Sequence, residues 1–138
     1  MLIALISCVA KKESYATVAK DLYISPLFKK AYSYAKKQEV DKIFILSAKY
    51  GLLREDAVIE PYNETLKDKS IHERKNWAKN ILNELSKETD LKRDKFLILA
   101  GRKYREFIIE ELGKENYEIP LKGLSIGKQL SFYKEVLR

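Results

Sequence analysis

A chain of 138 residues is about one domain, long enough to bury a single sizeable core. Its hydrophobic fraction of 46% and nine tyrosines exclude a disordered chain, and no apolar run approaches the roughly 18–20 residues that span a bilayer. Against 20 acidic residues stand 27 basic ones, and the net charge of +7 favours a polyanionic partner, because neutralised phosphate supplies most non-specific nucleic-acid affinity. The same excess also accompanies Lys-rich genomes and warm habitats. The start, MLIALISCVAKK, is short and lacks the basic n-region of a secretion signal, so it reads as a strand. A single cysteine excludes an internal disulfide and fits a reducing cytoplasm.

Residues 2–8 (LIALISC) form a continuous apolar run, the pattern of a strand covered on both faces. A polar loop follows. Ser25 then suits an N-cap and Pro26 a first helical position. Leu27, Phe28, Ala31, Tyr34 and Ala35 recur at helical spacing as the buried stripe of that helix. Residues 42–48 (KIFILSA) are the second strand. Residues 49–69 hold turn formers but no sustained period; a loop of that length in a compact domain is usually functional or partly structured. Ser70 opens the next helix in a capping box with Glu73, and Trp77, Ile81, Leu82 and Leu85 form its apolar side. Residues 95–100 (KFLILA) are a third buried strand, ended by Gly101. Residues 102–113 read as one helix, stopped by Gly113 in a left-handed cap. NYEIP is a short strand, and a last helix follows Ser125 as its N-cap.

This alternation predicts an α/β fold: a three-layer sandwich around a mainly parallel sheet of about four strands, in one domain spanning residues 1–138. In such sheets, sites gather at the carboxyl ends of the strands. Three runs end at Ser7-Cys8, at Ser47-Ala48-Lys49-Tyr50-Gly51 and at Ala100-Gly101-Arg102-Lys103. Parallel neighbours would bring all three to one rim.

The chain has no GxxxxGK(S/T) phosphate loop, no GxGxxG and no HExxH. One histidine, His72, and one cysteine, Cys8, leave no His/Cys zinc site, and no cofactor is indicated. His72 falls in a first helical turn and reads as a surface residue. Cys8 reads as a small buried residue, as a small wall residue of a site, or as a thiolate beside Lys11 with a lowered pKa. Lys11 and Lys12 are loop charges or an anion anchor. Lys49-Tyr50-Gly51 is more specific: Gly51 allows a sharp exit, Tyr50 offers a flat face for a base, and Lys49 offers a cation for phosphate. In Glu60-Pro61-Tyr62 the proline holds a carboxylate and a phenol in definite directions, so they could act as base and hydrogen-bond donor. Asp56 and Glu64 are nearby carboxylates, and which of them faces inward stays open.

The blocks LISCxxKK, LYxSxLFxxA, ILSAKYGLL, IxPYxxTL and PLKGLSIGKQLxF occur in order over most of the chain. This pattern resembles a family of small bacterial and viral domains related to the YaaA-like peroxide-stress proteins. It is more distantly similar to the core domain of archaeosine synthase, which acts on a deazaguanine base in tRNA, and to the uracil-DNA glycosylase-like α/β fold. The resemblance implies a site at Ser7, Cys8 and Lys11, at Tyr23 and Ser25, at Ser47, Lys49, Tyr50 and Gly51, at Pro61 and Tyr62, and at Gly123 and Gly127. It also implies a link to DNA binding and protection from oxidative damage. The chain lacks the cysteine cluster of archaeosine synthase and the catalytic Asp and His motifs of the glycosylases.

The leading expectation is an enzyme acting on a nucleobase in DNA, RNA or a free nucleotide, with N-glycosidic cleavage as its most concrete form. Tyr50 would stack on the base, Lys11 and Lys49 would hold phosphate, Glu60 or Asp56 would orient water or stabilise a cationic sugar, and Tyr62 would donate to a base edge. The alternative is a DNA- or nucleotide-binding module without turnover, serving stress response or defence.

Overall fold

The computed structural model describes residues 1–138. Its first half runs β1 (Leu2–Ser7), β2 (Thr17–Val18), α1 (Ala19–Leu22), α2 (Pro26–Lys37), β3 (Lys42–Ser47), β4 (Gly51–Arg54) and β5 (Val58–Ile59). A 3-10 turn at Leu66–Asp68 leads into α3 (Ile71–Ser86), β6 (Lys95–Leu99) and α4 (Arg102–Arg105). A second 3-10 turn, Ile109–Glu111, precedes β7 (Tyr117–Glu118) and α5 (Ile126–Val136). No helix is long and apolar enough to cross a membrane.

The fold is α/β around a mixed five-stranded sheet, in the order β4-β3-β1-β6-β7. β3, β1, β6 and β7 are parallel, and β4 returns antiparallel on β3. Ile3, Ala4, Leu5 and Ile6 are all at most 1% exposed, so both faces of β1 are covered, as its unbroken apolar run requires. α2 packs on β1 and α5, while α3 packs on β4 and α4. The chain steps from β1 to β3 on one side, then from β4 across to β6 on the other. Right-handed crossovers therefore set α2 and α3 on opposite faces, and the switch in direction falls between β1 and β6.

The helices form where their caps and stripes dictate. Ser25 Oγ accepts from Phe28 N at 3.2 Å, and Phe28, Ala31, Tyr34 and Ala35 are buried in α2 with Leu27 half-buried. The Ser70–Glu73 capping box closes the start of α3 from both sides.

Three expectations are corrected. Residues 49–69 are not one irregular loop: β4 pairs with β3, and β5 pairs with β2 in a small second sheet. These strands have four and two residues, too short for a period, and exist because of their partners. Residues 102–113 are not one helix. Tyr104, Ile108 and Leu112 keep a buried helical spacing, but the α-helix stops at Arg105, ahead of an aromatic and β-branched run (Phe107, Ile108, Ile109) that is poor at holding one. Gly113 is not a left-handed cap; a Cβ there would stand 2.2 Å from the Lys92 carbonyl oxygen, so close backbone approach demands the glycine.

Candidate functional site

The carboxyl ends of β1, β3 and β6 meet as the parallel order requires. Cys8 N donates to Leu46 O at 3.0 Å, tying the end of β1 to that of β3. From the other side of β1, Tyr104 of α4 brings its hydroxyl to 3.4 Å from Cys8 Sγ, across the switch point. The Tyr104 hydroxyl also accepts from Leu66 N at 3.3 Å and lies 3.4 Å from Thr65 Oγ1. Trp77 of α3 stands edge-on to Tyr104 at 5.6 Å and donates its indole N–H to Ser47 O at 2.9 Å.

SAKYG is the turn of the β3–β4 hairpin. Ser47 pairs with Gly51, Ala48, Lys49 and Tyr50 form the loop, and Gly51 takes φ +75°, the left-handed residue such three-residue loops need. Ser47 Oγ accepts from Tyr50 N at 2.9 Å and Lys49 N at 3.3 Å. Both lone pairs are thereby used, so its O–H donates to the Tyr62 hydroxyl at 2.7 Å. The Tyr62 hydroxyl in turn lies 2.5 Å from that of Tyr23. Tyr23 and Ser47 have no exposed surface. Burial pushes the phenols of Tyr62 and Tyr23 well above the usual range and that of Tyr104 up to about 12, which keeps all three as neutral donors at neutral pH.

Above this buried layer lies a more open one. Tyr50 is 37% exposed, rests edge-on against Tyr62 with ring centres 5.4 Å apart, and donates its hydroxyl to Glu60 O at 3.3 Å. Lys49 Nζ stands 5.3 Å from the centre of the Tyr50 ring. The far side of the hairpin forms a depression of about 380 Å³ against α3, lined by Lys49, Tyr50, Trp77, Asn80 and Glu84. Lys12 is half-buried, with Nζ 4.4 Å from the Tyr62 ring centre and 5.8 Å from that of Tyr23. Its one hydrogen bond goes to Ala10 O at 3.3 Å, and no carboxylate pairs with it. Desolvation lowers its pKa, with Cys8 the only opposing influence.

A family model matches residues 3–135 and so takes in every element, short only of the first residue of β1 and the last of α5. The chain belongs to DUF6884, a family of unknown function. Comparison with curated proteins returns no match.

Within this DUF6884 fold, Cys8, Tyr23, Ser47, Lys49, Tyr50, Gly51 and Tyr62 come together at one rim, and the two tyrosines that had to meet, Tyr50 and Tyr62, are in contact. Pro61 and Glu60 are exposed while Tyr62 turns inward, and the main-chain carbonyl of Glu60 accepts from the Tyr50 hydroxyl. The other expected residues do not join this network. Ser7 closes β1 without a side-chain bond to the network. Lys11 is exposed, while its neighbour Lys12 covers Tyr62. The hydroxyl of Ser25 is taken up by the α2 cap. Asp56 sits in a separate depression at the β4 edge with Arg54, Glu84 and Glu88. Gly127 is exposed in the first turn of α5, where a Cβ would meet nothing within 4 Å, and Gly123 serves a turn at φ +78°. Glu64 and His72 are exposed. The site also uses Trp77, Thr65 and Tyr104, which sequence reasoning left in the core or unassigned. Tyr104 carried a usable signal, since it falls in the first turn after a strand end that was already placed on the rim.

Proposed function

We propose that this protein acts on the base of a nucleic acid or nucleotide, with N-glycosidic bond cleavage as the most concrete form of the reaction. The observation that carries the reading is the Lys49–Tyr50–Tyr62 stack at the carboxyl rim, an open aromatic face beneath one cation and beside a second, Lys12, that has no carboxylate partner. A base stacks on the exposed face of Tyr50, and Lys49 meets phosphate; such contacts suit any base because each has a π-face. Glu60, held beside the ring through its own carbonyl, takes a proton from water as the water oxygen bonds the sugar carbon. The C–N bond breaks with its electron pair going to the base, which takes up a proton from solvent as it leaves. On the same reading the mixed sheet is a short version of the uracil-DNA glycosylase-like and YaaA-like class, supported by a site at the topological switch point, and the free thiol of Cys8 supports a reducing compartment.

A purified protein tested against nucleosides, nucleotides and modified DNA should release free base, and Glu60→Gln should abolish release while binding survives. Absence of release from every substrate class rejects the enzymatic reading. One observation favours a second reading, a binding module without turnover: no carboxylate is hydrogen-bonded to the Ser47–Tyr62–Tyr23 network. That reading requires salt-dependent affinity that is indifferent to Glu60→Gln.

A further inference from the structure

Ser47, Tyr62 and Tyr23 bring three hydroxyl protons to a chain with only two O···O contacts, 2.7 Å and 2.5 Å. The Ser47 proton is committed, because its oxygen already accepts two backbone N–H groups. One proton serves the contact between the phenols. The remaining phenol O–H has no acceptor in the protein, although Tyr23 is fully buried and Tyr62 only 8% exposed. Either phenol can donate to the other; of the two, Tyr62 alone has surface open to an outside acceptor, and its ring is the one Lys12 covers at 4.4 Å. Lys12 uses one of its three N–H donors on Ala10 O and faces no carboxylate. A partly desolvated cation and a surplus buried donor are each costly alone. Together they complement one kind of group, an acceptor bearing negative charge.

We infer that Lys12 and Tyr62 form an oxyanion subsite for a phosphate group of the ligand, with Tyr23 and Ser47 both donating into the Tyr62 oxygen. Two donors into one phenol oxygen polarise its O–H, so Tyr62 gives a stronger hydrogen bond than an isolated phenol would. Tyr23 is thus a positioning residue that acts through Tyr62. The subsite rests on the nucleotide reading for its biological ligand but not for its test. The phosphate could come from a terminal monoester or from a nucleic-acid backbone, and the two sources share this chemistry.

The test is calorimetric titration of the full chain with inorganic phosphate and with dimethyl phosphate, the backbone mimic. The wild type binds inorganic phosphate; Lys12→Met weakens binding about tenfold or more, as the loss of a charge-assisted bond implies, and Lys12→Arg retains most of it. Tyr23→Phe leaves Tyr62 its proton but removes one polarising donor, so affinity falls about threefold while the fold, checked by circular dichroism, survives. Lys114→Met removes the same charge beside Gly113 and Lys92, at the opposite end of the sheet, and leaves affinity unchanged. Comparable affinity for dimethyl phosphate assigns the subsite to a backbone phosphodiester; preference for inorganic phosphate assigns it to a terminal group. No phosphate binding by the wild type, or equal losses from Lys12→Met and Lys114→Met, overturns the proposal. Phosphate binding through Lys12 without base release rejects only the enzymatic reading. Base release with phosphate affinity indifferent to Lys12 rejects only the subsite.

Discussion

The β4 edge and the carboxyl rim make opposite uses of space and charge. The edge holds the larger hollow, about 430 Å³ between β4 and α3, lined by Phe44, Leu52, Leu53, Arg54, Asp56, Ala57, Glu84 and Glu88. Its charges are answered locally: Arg54 pairs with Glu88, and Lys87 with Glu84 at 3.1 Å. The rim has less open volume but gathers a thiol, three phenols, a serine and an unpaired ammonium. Volume at an edge strand is a by-product of a sheet ending there. Polar groups held out of water without full pairing cost folding free energy, so their persistence favours the rim as the seat of function.

The contrast can be broken by substitution, and the largest effect belongs to catalysis. Glu60→Gln should slow base release by about 100-fold or more with binding within about twofold, whereas Asp56→Asn at the edge should change neither. Equal losses from the two would move the chemistry off the rim. Tyr62→Phe comes next. It orphans the Ser47 and Tyr23 hydroxyls together, so urea unfolding should report a loss of about 2–4 kcal/mol, from about 1–3 kcal/mol for each buried unsatisfied group. A loss under about 1 kcal/mol would mean that the network contributes little to the folded state. Glu88→Gln, which breaks the exposed pair with Arg54, should cost no more than about 0.5 kcal/mol.

Alkaline titration sharpens the same comparison, because the edge depression contains no tyrosine. The folded pKa values of Tyr23, Tyr62 and Tyr104 are raised above the unfolded 10.0. Their contribution is therefore complete below pH 10.0 and is lost as pH rises from there through the folded values, about 12 for Tyr104. Lys12 acts in the opposite sense: its pKa is lowered, so its folding penalty is relieved as pH climbs toward 10.5. Tyr15, Tyr32, Tyr34 and Tyr133 are raised as well and act in the same sense, so unfolding midpoints should fall above pH 10, and the shallower fall in Tyr62→Phe reports the rim's share. Tyrosinate absorbance that develops fully before unfolding would contradict the buried network.

Much of the scaffold was legible because it rests on local rules. Unbroken apolar runs marked β1, β3 and β6, the spacing of Phe28, Ala31, Tyr34 and Ala35 marked α2, and Ser70 with Glu73 marked the start of α3. β4 was not legible, since GLLR becomes a strand only when β3 offers its edge. The site followed the same division. Ser47, Lys49, Tyr50 and Gly51 were readable as a strand end, but the choice between Lys11 and Lys12 depends on the bridge that pairs Lys12 with Tyr23. Likewise the separation of Asp56 from Glu60 is decided by the return of the chain along β3 and β2, a long-range pairing with no local signature. Trp77 looked like one more apolar residue of α3, although its indole N–H fixes the end of β3.

The central claim, that the rim and not the edge receives a phosphate-bearing base, is tested most directly by amide NMR of the full chain titrated with a nucleoside monophosphate and with a short single-stranded oligonucleotide. Saturable shifts clustered at Cys8, Lys12, Ser47 to Gly51, Tyr62 and Tyr104 are the predicted result. Shifts centred on Arg54 to Ala57, Lys87 and Glu88, or none with either ligand, would contradict it.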